Sequence, residues 1–108
     1  MQRGDIVTCV LSGDYGKPRP AVIVQSDLFN PTHASIVVCP ITSHLVEAPL
    51  FRLLLAPDKS TGITIISQIM IDKITAIKSE KIAKKIGKLS SSEILKLDEA
   101  LRLWLNLK

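Results

Sequence analysis

The chain has little to staple it together: only Cys9 and Cys39 among 108 residues. Two thiols are too few for a fold of this size, so a packed core must hold it. Charge is modest, at 22% of residues against 46% hydrophobic, which excludes a disordered chain. No uninterrupted apolar stretch approaches the ~18 residues of a membrane span, and no charged-then-apolar leader opens the chain. A glycine-rich phosphate cradle, a nucleophile elbow and a zinc motif are also missing. These absences point to a soluble, cytoplasmic protein with no membrane partner. Residues 1–108 read as one small domain without repeats or linkers.

What charge there is lies unevenly. The net charge is +4, and residues 1–54 balance with four basic and four acidic side chains. The whole excess falls in the second half, where Lys73, Lys78, Lys81, Lys84, Lys85 and Lys88 crowd one stretch. Such a stripe suits phosphate backbones or an acidic partner. It equally suits a solvated edge strand that resists sheet-to-sheet pairing.

The first two thirds read as short strands broken by turn residues. Ile6–Leu11, Pro20–Gln25, Ser35–Cys39, Leu50–Leu55, Ile63–Ile71, Ile74–Ile77 and Ile82–Leu89 are the candidates. Strands at this spacing predict a small barrel or sandwich rather than a parallel sheet with crossover helices. The period then changes. Ser90 and Glu93 fit a capping box, with Leu89 and Ile94 at the two positions of a hydrophobic staple. Ile94, Leu97, Leu101, Trp104 and Leu105 share one helical face, so a terminal helix packs on the sheet through that stripe. Trp104 reads as a core or dimer contact rather than a ligand platform.

Few residues carry obvious chemistry. Cys9 and Cys39 lie in apolar strands without metal-ligand spacing and read as buried, inert thiols. His33 and His44 sit in loops where nothing local orients them. In Gly16-Lys17-Pro18-Arg19-Pro20 the prolines hold Arg19 extended with little rotamer freedom to lose, which suits a phosphate. A structural arginine closing its loop on a carboxylate fits the same residues. In Pro40-Ile41-Thr42-Ser43-His44 two hydroxyls and an imidazole gather where a strand enters a loop. Hydroxyls bonding the backbone of a strand-end turn would look the same.

The opening Met1-Gln2-Arg3-Gly4-Asp5-Ile6-Val7, the segment Gly16–Gln25, the run Val37–Ser43 and Ser67-Gln68 together resemble the MazF/PemK family. These are toxins of type II toxin–antitoxin pairs, and the likeness covers nearly the whole chain in order. It implies a mainly β fold with a C-terminal helix, an SH3-like or CcdB-like small β-barrel. It also implies a sequence-selective endoribonuclease that cleaves single-stranded RNA by attack of the substrate's own 2′-hydroxyl, with no metal or other cofactor. The family's essential arginine falls on Arg19 and its essential threonine on Thr42. Ser43, Gln68, Tyr15 and His44 are the expected substrate contacts. The partners implied are an acidic antitoxin and a second copy of the chain, with DNA met only through the antitoxin complex.

Two departures stand out. Ser67 occupies the place where some members carry an acidic residue. The loop before Arg19 is short, with Asp14 and Tyr15 in place of a Gln/Gly-rich run; Tyr15 either stacks on an unpaired base or packs on its own domain. Two other readings keep the fold and change the function. One is a gyrase poison of the CcdB type, against which the ending Trp104-Leu105-Asn106-Leu107-Lys108 counts. The other is a barrel that binds nucleic acid or protein without catalysis.

Overall fold

The computed structural model describes residues 1–108. Seven strands follow in chain order: β1 (Asp5–Val10), β2 (Pro18–Ile23), β3 (Ser35–Thr42), β4 (Arg52–Leu55), β5 (Ser67–Met70), β6 (Thr75–Lys78) and β7 (Ile82–Lys88). Single 3₁₀ turns at Ile71–Lys73 and Ser79–Lys81 flank β6, and helix α1 (Ser91–Leu105) ends the chain. Every strand pairing is antiparallel, in the order β4-β5-β3-β2-β1-β7, with β6 pairing β3 off that path.

The central strands read as continuous apolar runs because both of their faces are covered. On one face Ile6, Val22, Cys39 and Ile41 meet Leu55, Ile69, Ile71, Leu97 and Leu101. On the other, Val7, Cys9, Ala21, Ile23 and Val38 form a smaller cluster with Ile36 and Ile77. Both thiols are free and buried, and burial pushes Cys39 up to about 12, so neither is a ready nucleophile.

The mainly β fold with a C-terminal helix is as expected, but the barrel does not close. No ladder joins β4 to β7, so both ends of the path stay open, and β6, paired only with β3, is a third edge. The ends meet through a loop instead. Lys88 N donates to Ser60 O at 2.9 Å, and a side chain on Gly87 would strike the backbone of Ser60 and Thr61.

Strand limits differ where tertiary pairing overrides local pattern. β3 runs on through Pro40 to Thr42, although a proline cannot donate to a ladder. It is tolerated because β3 changes partners there. Ser35–Val38 pair with β6 and Ile41–Thr42 with β5, so Pro40 falls between the two ladders on that side. The expected strand Ile63–Ile71 shrinks to Ser67–Met70: Ile63 makes only an isolated bridge to Asp58, and Thr64–Ile66 are exposed.

Helix α1 begins as its sequence dictates. Ser90 Oγ accepts from Glu93 N at 3.2 Å while Ser90 N donates to Glu93 Oε1 at 2.7 Å. Leu97 and Leu101 are buried, but the last turn of the apolar stripe is not. Trp104 stays 46% exposed, its ring 5.2 Å from that of Phe51, so it caps the core's rim rather than entering it. No helix is long and apolar enough to cross a membrane.

Candidate active site

Arg19 is the second residue of β2, opposite Cys9 of β1 and fixed between Pro18 and Pro20. The loop before it folds into a tight turn. Lys17 N donates to Asp14 O at 2.9 Å, and Tyr15 and Gly16 both have positive φ, 53° and 78°. Positive φ at both central positions defines a type I′ turn, whose twist matches an antiparallel hairpin. The turn brings Asp14 Oδ2 to 3.4 Å from Arg19 Nε. The two side chains are 30% and 43% exposed, so the pair is worth at most about 1 kcal/mol. Arg19 therefore faces a carboxylate, as one of its two local readings expects, but too loosely to be consumed by it.

Thr42 closes β3. The β2–β3 register pairs Val22 with Cys39 and Ala21 with Pro40, and two residues further the same register sets Thr42 across from Arg19. Thr42 Oγ1 accepts the His44 backbone N–H at 3.0 Å. One lone pair is thereby occupied, and the hydroxyl proton stays free to donate outward.

These residues share one groove of about 550 Å³. Arg19, Asp14, Thr42 and Ser43 line it from the β1–β2 and β3 side, and Gly62–Ile65 form its facing wall. Arg19 and Asp14 are the only ionisable groups in the lining. An arginine and two hydroxyls around an open trough can grip a phosphodiester and stabilise added negative charge on it.

The other expected contacts do not all join them. His44 is exposed and contributes its backbone, not its ring, to the Thr42 turn. Tyr15 is fully exposed on its turn and does not pack on its own domain. Gln68 is buried outside the groove, with both ends of its amide on Val46. Ser67 lines the groove, yet its hydroxyl donates to Ile65 O at 2.9 Å and is spent on the wall's own turn. Asp14 was missed as a site residue by sequence reasoning. Its one signal is a carboxylate in the short loop leading to a proline-fixed arginine.

The lysine stripe divides. Lys84 is opposite Thr8, a groove residue, whereas Lys85 is paired with buried Asp5 at 3.2 Å. Lys88 stands opposite Asp5, beside a separate hollow at the helix cap. No group of three or more His, Cys, Asp or Glu side chains gathers as a metal site would need.

Comparison with known proteins places this geometry. Residues 2–105 match the model of the PemK-like, MazF-like toxin of type II toxin–antitoxin systems. A probable endoribonuclease MazF from Mycolicibacterium smegmatis is 39% identical over 108 residues, covering 99% of this chain and 98% of the relative. An endoribonuclease solved in complex with its cognate antitoxin, from a mycobacterial species, superposes with a TM-score of 0.83 at 20% identity, covering 100% of this chain and 97% of that one. The Mycobacterium tuberculosis toxin MazF-mt6 also reaches 0.83, at 23% identity over 96% of this chain and 98% of its own. The chain belongs to the PemK-like, MazF-like family of type II toxins.

Proposed function

We propose that this chain is a toxin that cleaves single-stranded mRNA in the cytoplasm, as a metal-independent and sequence-selective endoribonuclease. The observation that carries the reading is the convergence of Arg19 and Thr42 on one groove. Relatives named as endoribonucleases support it. The attacking group is the substrate's own 2′-hydroxyl. Its oxygen forms the new bond to phosphorus, the 5′-oxygen leaves with the electrons of the broken bond, and the proton lost by the first is balanced by one gained at the second. Charge accumulates on the non-bridging oxygens meanwhile. Arg19 meets it with its guanidinium fork and Thr42 with its free hydroxyl proton, while Ser43 contacts the same phosphate's surroundings. The loose Asp14 pair yields to the phosphate at small cost. Tyr15, free of its own domain, is placed to stack on an unpaired base.

Residues 1–108 act as one domain in this reading and work as a homodimer, with DNA met only through the antitoxin complex. The inhibitor is an acidic antitoxin segment ordering along the groove, drawn to Arg19 and to the excess positive charge of the chain's second half. The mycobacterial structure with its cognate antitoxin supports such a partner. The test is incubation of the purified protein with a long RNA in EDTA, with and without the antitoxin. Discrete fragments ending in 2′,3′-cyclic phosphate, suppressed by the antitoxin, are expected. A folded protein that leaves the RNA intact would instead be a binding-only module.

The divided lysine stripe makes a narrower expectation. Each phosphate contact on a single strand releases about 0.7 counterion, so log affinity falls linearly with log salt. Neutralising Lys84, opposite groove residue Thr8, should flatten that slope by about 0.7 for every RNA sequence alike. Neutralising Lys88 should leave it unchanged. Equal effects from Lys84→Gln and Lys88→Gln in a binding titration would place the RNA track elsewhere.

A further inference from the structure

Gln68 is an unusual neighbour for the site: a long polar side chain, 7% exposed, that never enters the groove. Its backbone is in register with Thr42 across the β3–β5 ladder. Its side chain reaches forward to a different residue. Gln68 Oε1 accepts Val46 N at 3.0 Å, and Gln68 Nε2 donates to Val46 O at 2.8 Å. The amide thus answers both polar groups of Val46 as a neighbouring strand would.

One residue therefore holds the chain at two points, by its backbone at Thr42 and by its side chain at Val46. Between them lies a three-residue bend, Ser43-His44-Leu45, exposed throughout. Within that bend the His44 N–H donates to Thr42 Oγ1 at 3.0 Å and so decides which way the threonine's free proton points. Apart from the clamp, the bend's one hydrogen bond is that from His44 N–H to Thr42 Oγ1.

We propose that Gln68 is a positioning residue for RNA cleavage, fixing the Ser43–Leu45 bend so that the Thr42 hydroxyl and Ser43 meet the reacting phosphate. This rests on the endoribonuclease reading above and replaces the expectation that Gln68 touches substrate. The amide is the side chain best suited to the task. It presents a donor NH2 and an acceptor oxygen side by side without charge, so it can answer a peptide group and be buried at no ionic cost.

The test compares wild type with Gln68→Met, which keeps length and volume but cannot make either bond. Steady-state RNA cleavage and amide hydrogen exchange are read on the same samples. The expected result is kcat lowered by about 10- to 100-fold, as for an ångström-scale misplacement, with KM within about twofold. Exchange at Val46 and His44 should quicken while β1–β3 stay protected. Should Gln68→Met fail to fold, Gln68→Asn keeps an amide but is one carbon too short to reach Val46, and should show the same pattern more weakly. A raised KM at unchanged kcat would overturn the proposal in favour of direct substrate contact. Undisturbed exchange at His44 would overturn it too, whether or not RNA is cut. A wild-type protein that cuts no RNA refutes the endoribonuclease reading itself, a result distinct from either.

Discussion

Arg19→Lys should lower kcat/KM for RNA cleavage by about 10²- to 10³-fold, the usual cost of removing one preorganised donor to a developing anion. The charge survives this change, so the loss isolates geometry. The flanking prolines set the backbone, and from there a planar fork addresses two phosphate oxygens at once, which an ammonium point charge does not. Arg19→Ala should lose more. Neither change should unfold the protein, because the side chain is 43% exposed and its one ionic partner, Asp14, is loosely held. Thermal unfolding and cleavage measured together check this. Near-full cleavage by a folded Arg19→Lys protein would remove Arg19 from the chemistry.

Gly87→Ala should destabilise the fold strongly. The added carbon would lie 2.2 Å from the carbonyl carbon of Thr61, 2.3 Å from its oxygen and 2.6 Å from the oxygen of Ser60. All three are backbone atoms, so no rotamer relieves the clash. Either β7 or the loop must move, at about 3 kcal/mol or more. For a chain of this size that is a Tm lower by roughly 12 °C or more. Gly13→Ala is the control. Gly13 has φ 87° but open space around it, so only the local conformational cost of about 1 kcal/mol applies. If the two variants melt together, the loop does not bear on β7 as described.

How far the sequence could be read depends on the range of the interaction. Ser90, Glu93, Leu89 and Ile94 define a helix start within a few residues, and the helix begins there. The apolar runs of β1, β2 and β3 announce strands covered on both faces. Pattern failed at Ile63–Ile71, where alternation alone cannot tell a paired strand from a groove wall; the pairing partner decides. Thr42 is legible as part of a motif, but the sequence ends its strand at Cys39, since nothing local reveals that β3 finds a second partner beyond Pro40. Gln68 was picked out with the site, yet its bonds to a backbone 22 residues away leave no trace in residue spacing. Asp14 became visible as a site residue only once the type I′ turn had carried it to Arg19.

The loop that spans the gap between the sheet's two ends has a mechanical consequence. Residues 60–62 lie against the backbone of β7 at Ile86–Lys88, and the same loop continues as the groove wall, Gly62–Ile65. Shield and wall are one continuous loop. A bound strand or inhibitor that levers the wall outward also lifts the cover from the end of β7, baring backbone donors and acceptors that invite pairing with another chain. The exposed lysines of that strand, Lys84, Lys85 and Lys88, then stand as the remaining deterrent. Forced opening of this groove and self-association of the protein should rise together, so a tightly gripping wall serves solubility as much as cleavage.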